Sequence, residues 1–107
     1  MPDTTTERMQ TLRQMLEKTP DDAFLLYAIA LEHKKLSEFP QALDYLKRVL
    51  EKDPAYAVAY HQAGLVHELA GDLEAARKSY RDGMAAAEHK GDLHAREEMH
   101  AALMLIE

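Results

Sequence analysis

The chain contains no cysteine. A disulfide framework and a thiolate zinc site are therefore excluded, and a reducing cytoplasmic setting is the expected one. Glycine and proline are scarce, four of each in 107 residues, and they act as punctuation. Long apolar runs are missing as well: the longest, Ala23 to Leu31 (AFLLYAIAL), is far too short to span a membrane. The opening MPDTTTERMQ lacks the charged start and apolar stretch of a signal peptide. Basic residues are outnumbered, 13 Lys and Arg against 19 Asp and Glu, and the formal charge of −6 argues against nonspecific nucleic-acid binding.

Recognisable chemistry is equally sparse. There is no cysteine nucleophile, no Gly-rich phosphate loop and no serine–histidine pair at interpretable spacing; Gly64 and Gly71 make no nucleotide fingerprint. No enzymatic activity and no cofactor are expected. Six histidines invite a metal reading. His61 and His67 are six apart and share a helical face poorly. Glu97-x-x-His100, with His94 one turn earlier, has the spacing of a di-metal carboxylate–histidine ligand pair, but the second Glu-x-x-His that such a site needs is missing. A surface charge cluster is the expected role, with a metal-binding protein or hydrolase working through Glu97 and His100 as a third functional class.

What the sequence does have is helical periodicity throughout. At this length it forms one domain at most, 1–107, able to bury roughly 65% of its unfolded surface. Thr4-x-x-Glu7 reads as a capping box, followed by Met9, Leu12, Met15 and Leu16 on one face of a helix over 4–19, which Pro20 and the aspartates after it, Asp21 and Asp22, close. A second helix runs from Ala23 to about Leu36 and stops at Ser37-Glu38, where Lys34 and Lys35 offset the macrodipole. Pro40 is tolerable in the first turn of a third helix bearing Leu43, Leu46, Val49 and Leu50, and Pro54 stops it. A fourth spans Ala57 to Ala70, with Gly71 in the left-handed position and Asp72 capping the fifth. Ala85, Ala86 and Ala87 carry the fifth to Lys90, Gly91 ends it, and Asp92 caps a sixth over 92–106 with Met99, Ala102, Leu103 and Ile106. The fold class is all-α, an antiparallel helix-turn-helix array of about six helices.

The array has a period. LEKTPDDA at Leu16 returns as LEKDPAYA at Leu50, 34 residues later. Aligning 23–56 with 57–90 pairs Leu31 with Leu65, His33 with His67 and Ala42 with Ala76 without a gap. Packing residues fall on Leu26, Ile29, Ala30 and His33 in one copy and Tyr60, Ala63, Gly64 and His67 in the other, an i, i+3, i+4, i+7 face. The small Ala30 or Gly64 admits the paired helix closely, and Ala42 and Ala76 are followed by the bulky Leu46 and Tyr80. In period and pattern the chain resembles the tetratricopeptide repeat (TPR) family, with two full repeats and flanking helices. Histidine stands for the usual tyrosine in both copies, Gly83 for a small apolar residue, and Glu88 for the second proline. Leu12, Met15, Leu16 and Pro20 lie in phase with Leu46, Val49, Leu50 and Pro54, so the first helix is the second half of an incomplete repeat, with Arg8 in an alanine position facing water. The last helix, with Glu97 and Glu98 at packing positions, reads as a solvating cap.

The resemblance implies protein–protein interaction or scaffolding. In this family the first helices of the repeats line a concave groove that holds extended or helical peptides. Here that face would comprise Phe24, Tyr27, Leu31 and Lys34 from one repeat, and Val58, His61, Gln62, Leu65 and Leu69 from the next. A helix apolar all round must be covered on both sides. The cover is therefore a partner's apolar segment, a second copy forming a homodimer through the same face, or a flanking helix of this chain. Lys34, Lys35 and Glu68 would form the rim. The carboxylate clamp of chaperone-binding TPRs is absent, since the matching positions hold Tyr27, Leu31 and Gln62, with only Arg96 of suitable charge. The expected partner is a protein or peptide, with neither nucleic acid nor membrane involved.

Overall fold

A computed structural model describes residues 4–107, with side chains from Glu7 onward. Its helices are α1 Thr4–Lys18, α2 Ala23–Lys35, α3 Phe39–Lys52, α4 Ala57–Leu69, α5 Leu73–Lys90 and α6 Leu93–Met104. No strand occurs among the described residues. The expected capping box depends on the Thr4 side chain, which lies outside the described residues. Two compact units divide the chain, the first ending at Lys52 and the second beginning at Asp53.

The turns explain why the helices stop where they do. Gly71 has φ 85° and Gly91 φ 82°, the left-handed conformation that closes a helix when no Cβ is present. In the following residues the amides of Asp72 and Asp92 donate back to the carbonyls of His67 and Ala87, at 2.9 and 2.8 Å. The carboxylates of Asp72 and Asp92 then accept the amides of Ala75 and Ala95, both at 3.1 Å, and open α5 and α6. One period upstream of Gly71 stands Ser37, also left-handed at φ 59°. The Glu38 amide donates to the His33 carbonyl at 2.9 Å, so the same closing turn is built there on a residue that carries a Cβ. Asp22, expected to help end α1, instead caps α2 by accepting the Leu25 amide at 3.2 Å.

In the first unit α2 packs between α1 and α3. Leu25, Leu26, Ile29 and Ala30 of α2 and Ala42, Leu46 and Val49 of α3 are buried, as is Met9 of α1. Each fully buried Leu or Ile contributes about 1.5–3 kcal/mol relative to exposure. Met15, expected on the packing face of α1, is exposed, since α1 packs chiefly on α2 among the described residues. Arg8 is exposed as expected, yet its guanidinium reaches Glu32 at 3.3 Å.

In the second unit α5 packs between α4 and α6. The core joins Ala57, Ala76, Tyr80, Ala87, Met99 and Leu103. Two glycines let the helices close on one another. A Cβ on Gly64 would stand 2.2 Å from Tyr80 Cε1, and one on Gly83 would stand 2.4 Å from Met99 Sδ and 2.6 Å from Tyr60 Cβ. Gly83, unusual for the repeat pattern, is therefore required by α4 on one side and α6 on the other. The end of α6 is tied to α5 where Arg77 Nε donates to the Ile106 carbonyl at 2.9 Å.

Candidate interaction surfaces

The expected site residues lie on two helices, α2 in the first unit and α4 in the second. In the first unit they lie on α2, whose apolar residues surround the whole circumference. One side is the core just described. On the other, Phe24 keeps 65% of its surface exposed, while Tyr27, Ala28 and Leu31 are half-buried and Lys34 lies one turn further. The run AFLLYAIAL thus serves two surfaces, only one of which is closed within this unit.

Beside it lies a polar arrangement that the sequence did not announce. Glu32 and His33 are both buried. One Glu32 oxygen, Oε1, accepts from Arg8 and from Lys35, each at 3.3 Å, and Oε2 has no partner. His33 places Nδ1 3.0 Å from Glu38 Oε1 and stacks on Tyr45 with ring centroids 5.4 Å apart, while Nε2 is unpartnered. Glu38, in register with the capping Asp72, lies against the buried imidazole instead.

In the second unit the expected residues lie on α4. Val58 and Leu69 are exposed, and His61, Gln62 and Leu65 are half-buried. His61 stands edge-on to Tyr80, with centroids 6.0 Å apart, and its Nδ1 is 3.9 Å from Glu98, which also pairs with His94. Glu68, expected at a rim, accepts the hydroxyl of the buried Tyr80. Burial first, and then this carboxylate, hold the Tyr80 phenol well above its ordinary value. No pattern in the sequence pairs residues 68 and 80, because the contact depends on the crossing of α4 and α5.

Glu97 and His100 are not assembled into a ligand set. Glu97 pairs with Arg96, whose guanidinium also meets Glu88 at 2.9 Å. The hydrogen bonds to Glu88 and then Glu97 raise the Arg96 pKa further. Among the described residues no three His, Asp or Glu side chains are grouped to hold a metal ion. Among them, too, no helix is long and apolar enough to cross a membrane.

Comparison with known proteins then decides the family. A TPR repeat-containing protein of Pseudomonas aeruginosa is 32% identical over 91 residues, which is 85% of this chain and 87% of that protein. The chain belongs to the TPR family. No family model matches it. Its TPR fold is seen again in a Bordetella parapertussis protein solved in solution, with TM-score 0.82 and 28% identity over 99% of this chain and 89% of that one. A TPR domain protein of Salinibacter ruber, also solved in solution, gives a TM-score of 0.77 and 30% identity over 82% of this chain and 89% of its own. The TPR fold is consistent with a protein-interaction scaffold and is generally not a catalytic one.

Proposed function

We propose that this TPR protein is a scaffold that buries apolar side chains of a peptide or partner helix on the outer faces of its first helices. Those faces are Phe24, Tyr27 and Leu31 of α2 in one unit, and Val58, Leu65 and Leu69 of α4 in the other. The observation that carries the reading is Phe24: a phenylalanine 65% exposed, on a helix whose opposite side is fully occupied by core. An aromatic ring offers a large apolar area to a partner, and such residues are enriched at interfaces. Tyr27, His61 and Gln62 add hydrogen-bonding groups among the apolar ones, while Lys34 and Lys35 bias the choice toward partners with acidic flanks.

The reading is tested by affinity capture with wild type, Tyr27→Glu and Leu65→Glu, with light scattering of each at low micromolar concentration. The expected result is a monomeric protein whose retained partner is lost from either variant while helicity is kept. Unchanged capture by both variants overturns the reading. A wild-type dimer that Tyr27→Glu dissociates would assign the α2 face to self-pairing instead.

A further inference from the structure

The outer side of α6 has a stripe that the interaction reading does not use. Leu93 and Met104 are each 65% exposed. They are eleven positions apart, close to three full turns, and therefore lie one above the other on the helix. Between them on the same side come Glu97 and His100, giving the spacing i, i+4, i+7, i+11. The opposite side of α6 is fully engaged, with Met99 and Leu103 buried in the core and Ala95, Ala102 and Ile106 against it. Glu97-x-x-His100 thus sits in the middle of a two-ended apolar stripe.

From this we propose that α6 pairs with α6 of a second copy of this chain, antiparallel and about a two-fold axis between residues 98 and 99. The stripe is self-complementary only in that arrangement. Reversal about that axis sets Leu93 opposite Met104 of the other copy at both ends and Glu97 opposite His100 twice in the middle. Each carboxylate, paired with Arg96 in its own chain, then meets an imidazole that can donate a ring N–H to it, which is the complementarity an isologous contact needs. A parallel pairing sets Glu97 on Glu97 and is repulsive. Exposed Ala101 flanks the crossing and admits the second helix closely. One short helix from each copy covers less than the standard interface of roughly 1,600 Å², so the association is weak and shows at high protein concentration.

The absence of native cysteine makes the geometry directly testable. Single variants Leu93→Cys and Met104→Cys are oxidised separately and as an equal mixture at high concentration. In the antiparallel pair, position 93 opposes 104, whereas two copies of 93 lie about 16 Å apart along the axis, beyond the reach of a disulfide. The mixture is expected to form the crossed dimer about tenfold faster than either variant alone. Equal rates in all three samples, or faster bridging by Leu93→Cys alone, overturn the proposal. A second arm uses sedimentation equilibrium of the unmodified chain. Glu97→Lys is expected to weaken the dimer, and Glu97→Lys with His100→Glu to restore it. A wild type that stays monomeric at the highest attainable concentration, or a double variant no better than the single one, contradicts the pairing.

Discussion

Gly64 and Tyr80 are in direct apposition: the position a Cβ would occupy on Gly64 lies 2.2–2.6 Å from three ring carbons of Tyr80. The ring is fully buried, in the same core cluster as Ala76, Ala87 and Met99, so it has little room to retreat. This contact fixes how closely α4 and α5 approach. Gly64→Ala is therefore expected to destabilise the protein by about 1–3 kcal/mol, the usual cost of overpacking a closed core. Thermal unfolding followed by circular dichroism measures it, and an unchanged midpoint would mean that the helices separate without penalty.

Tyr80 itself supplies a second test. Its hydroxyl donates to the Glu68 carboxylate, and Tyr80→Phe removes that bond while keeping the ring. A loss of about 1–2 kcal/mol is expected, toward the lower part of the range for bonds to charged groups because Glu68 is only half-buried. Burial and Glu68 also keep the phenol protonated in the folded state above its ordinary range. The unfolded chain therefore releases this proton first as pH rises. The stabilisation is complete below about pH 10 and declines above it. Urea unfolding at pH 8 and pH 10.5 should show that decline in wild type and a smaller one in Tyr80→Phe.

Ser37 is a third. It holds φ 59° at the position where the next repeat has Gly71. A Cβ in the left-handed region carries a steric cost that glycine avoids. Ser37→Gly is expected to raise stability by about 0.5–1 kcal/mol, visible as a midpoint several degrees higher. A fall in stability would show that the serine side chain makes up the difference locally.

These cases mark how far the sequence could be read. The helix limits followed from Gly71, Gly91, Asp72, Asp92 and the prolines, because each acts through its own backbone or its nearest turn. The packing face Leu26, Ile29 and Ala30 followed from 3.6-residue periodicity, and all three are buried. Glu32 was not legible as a buried residue, since its charge is met not only by the nearby Lys35 but by Arg8 of α1, 24 positions away. Asp22 was placed at the wrong end of its turn because an aspartate between two helices suits either. The reason for Gly83 lay in two other helices, Tyr60 on α4 and Met99 on α6. For the proposed surface, the apolar character of Phe24, Tyr27 and Leu31 was plain in the sequence, whereas the degree of exposure of each depends on neighbouring elements.

The central claim is that the apolar faces of α2 and α4 bind partner proteins. The most direct measurement changes their most exposed members, where folding is least at risk: Phe24→Glu in the first unit and Leu69→Glu in the second. Each variant is compared with wild type for binding to a captured partner, with thermal unfolding as the control for fold. The account predicts an affinity loss of tenfold or more in Phe24→Glu, about 1.4 kcal/mol or greater, with an unfolding midpoint close to that of wild type. Full partner affinity in both variants would contradict it.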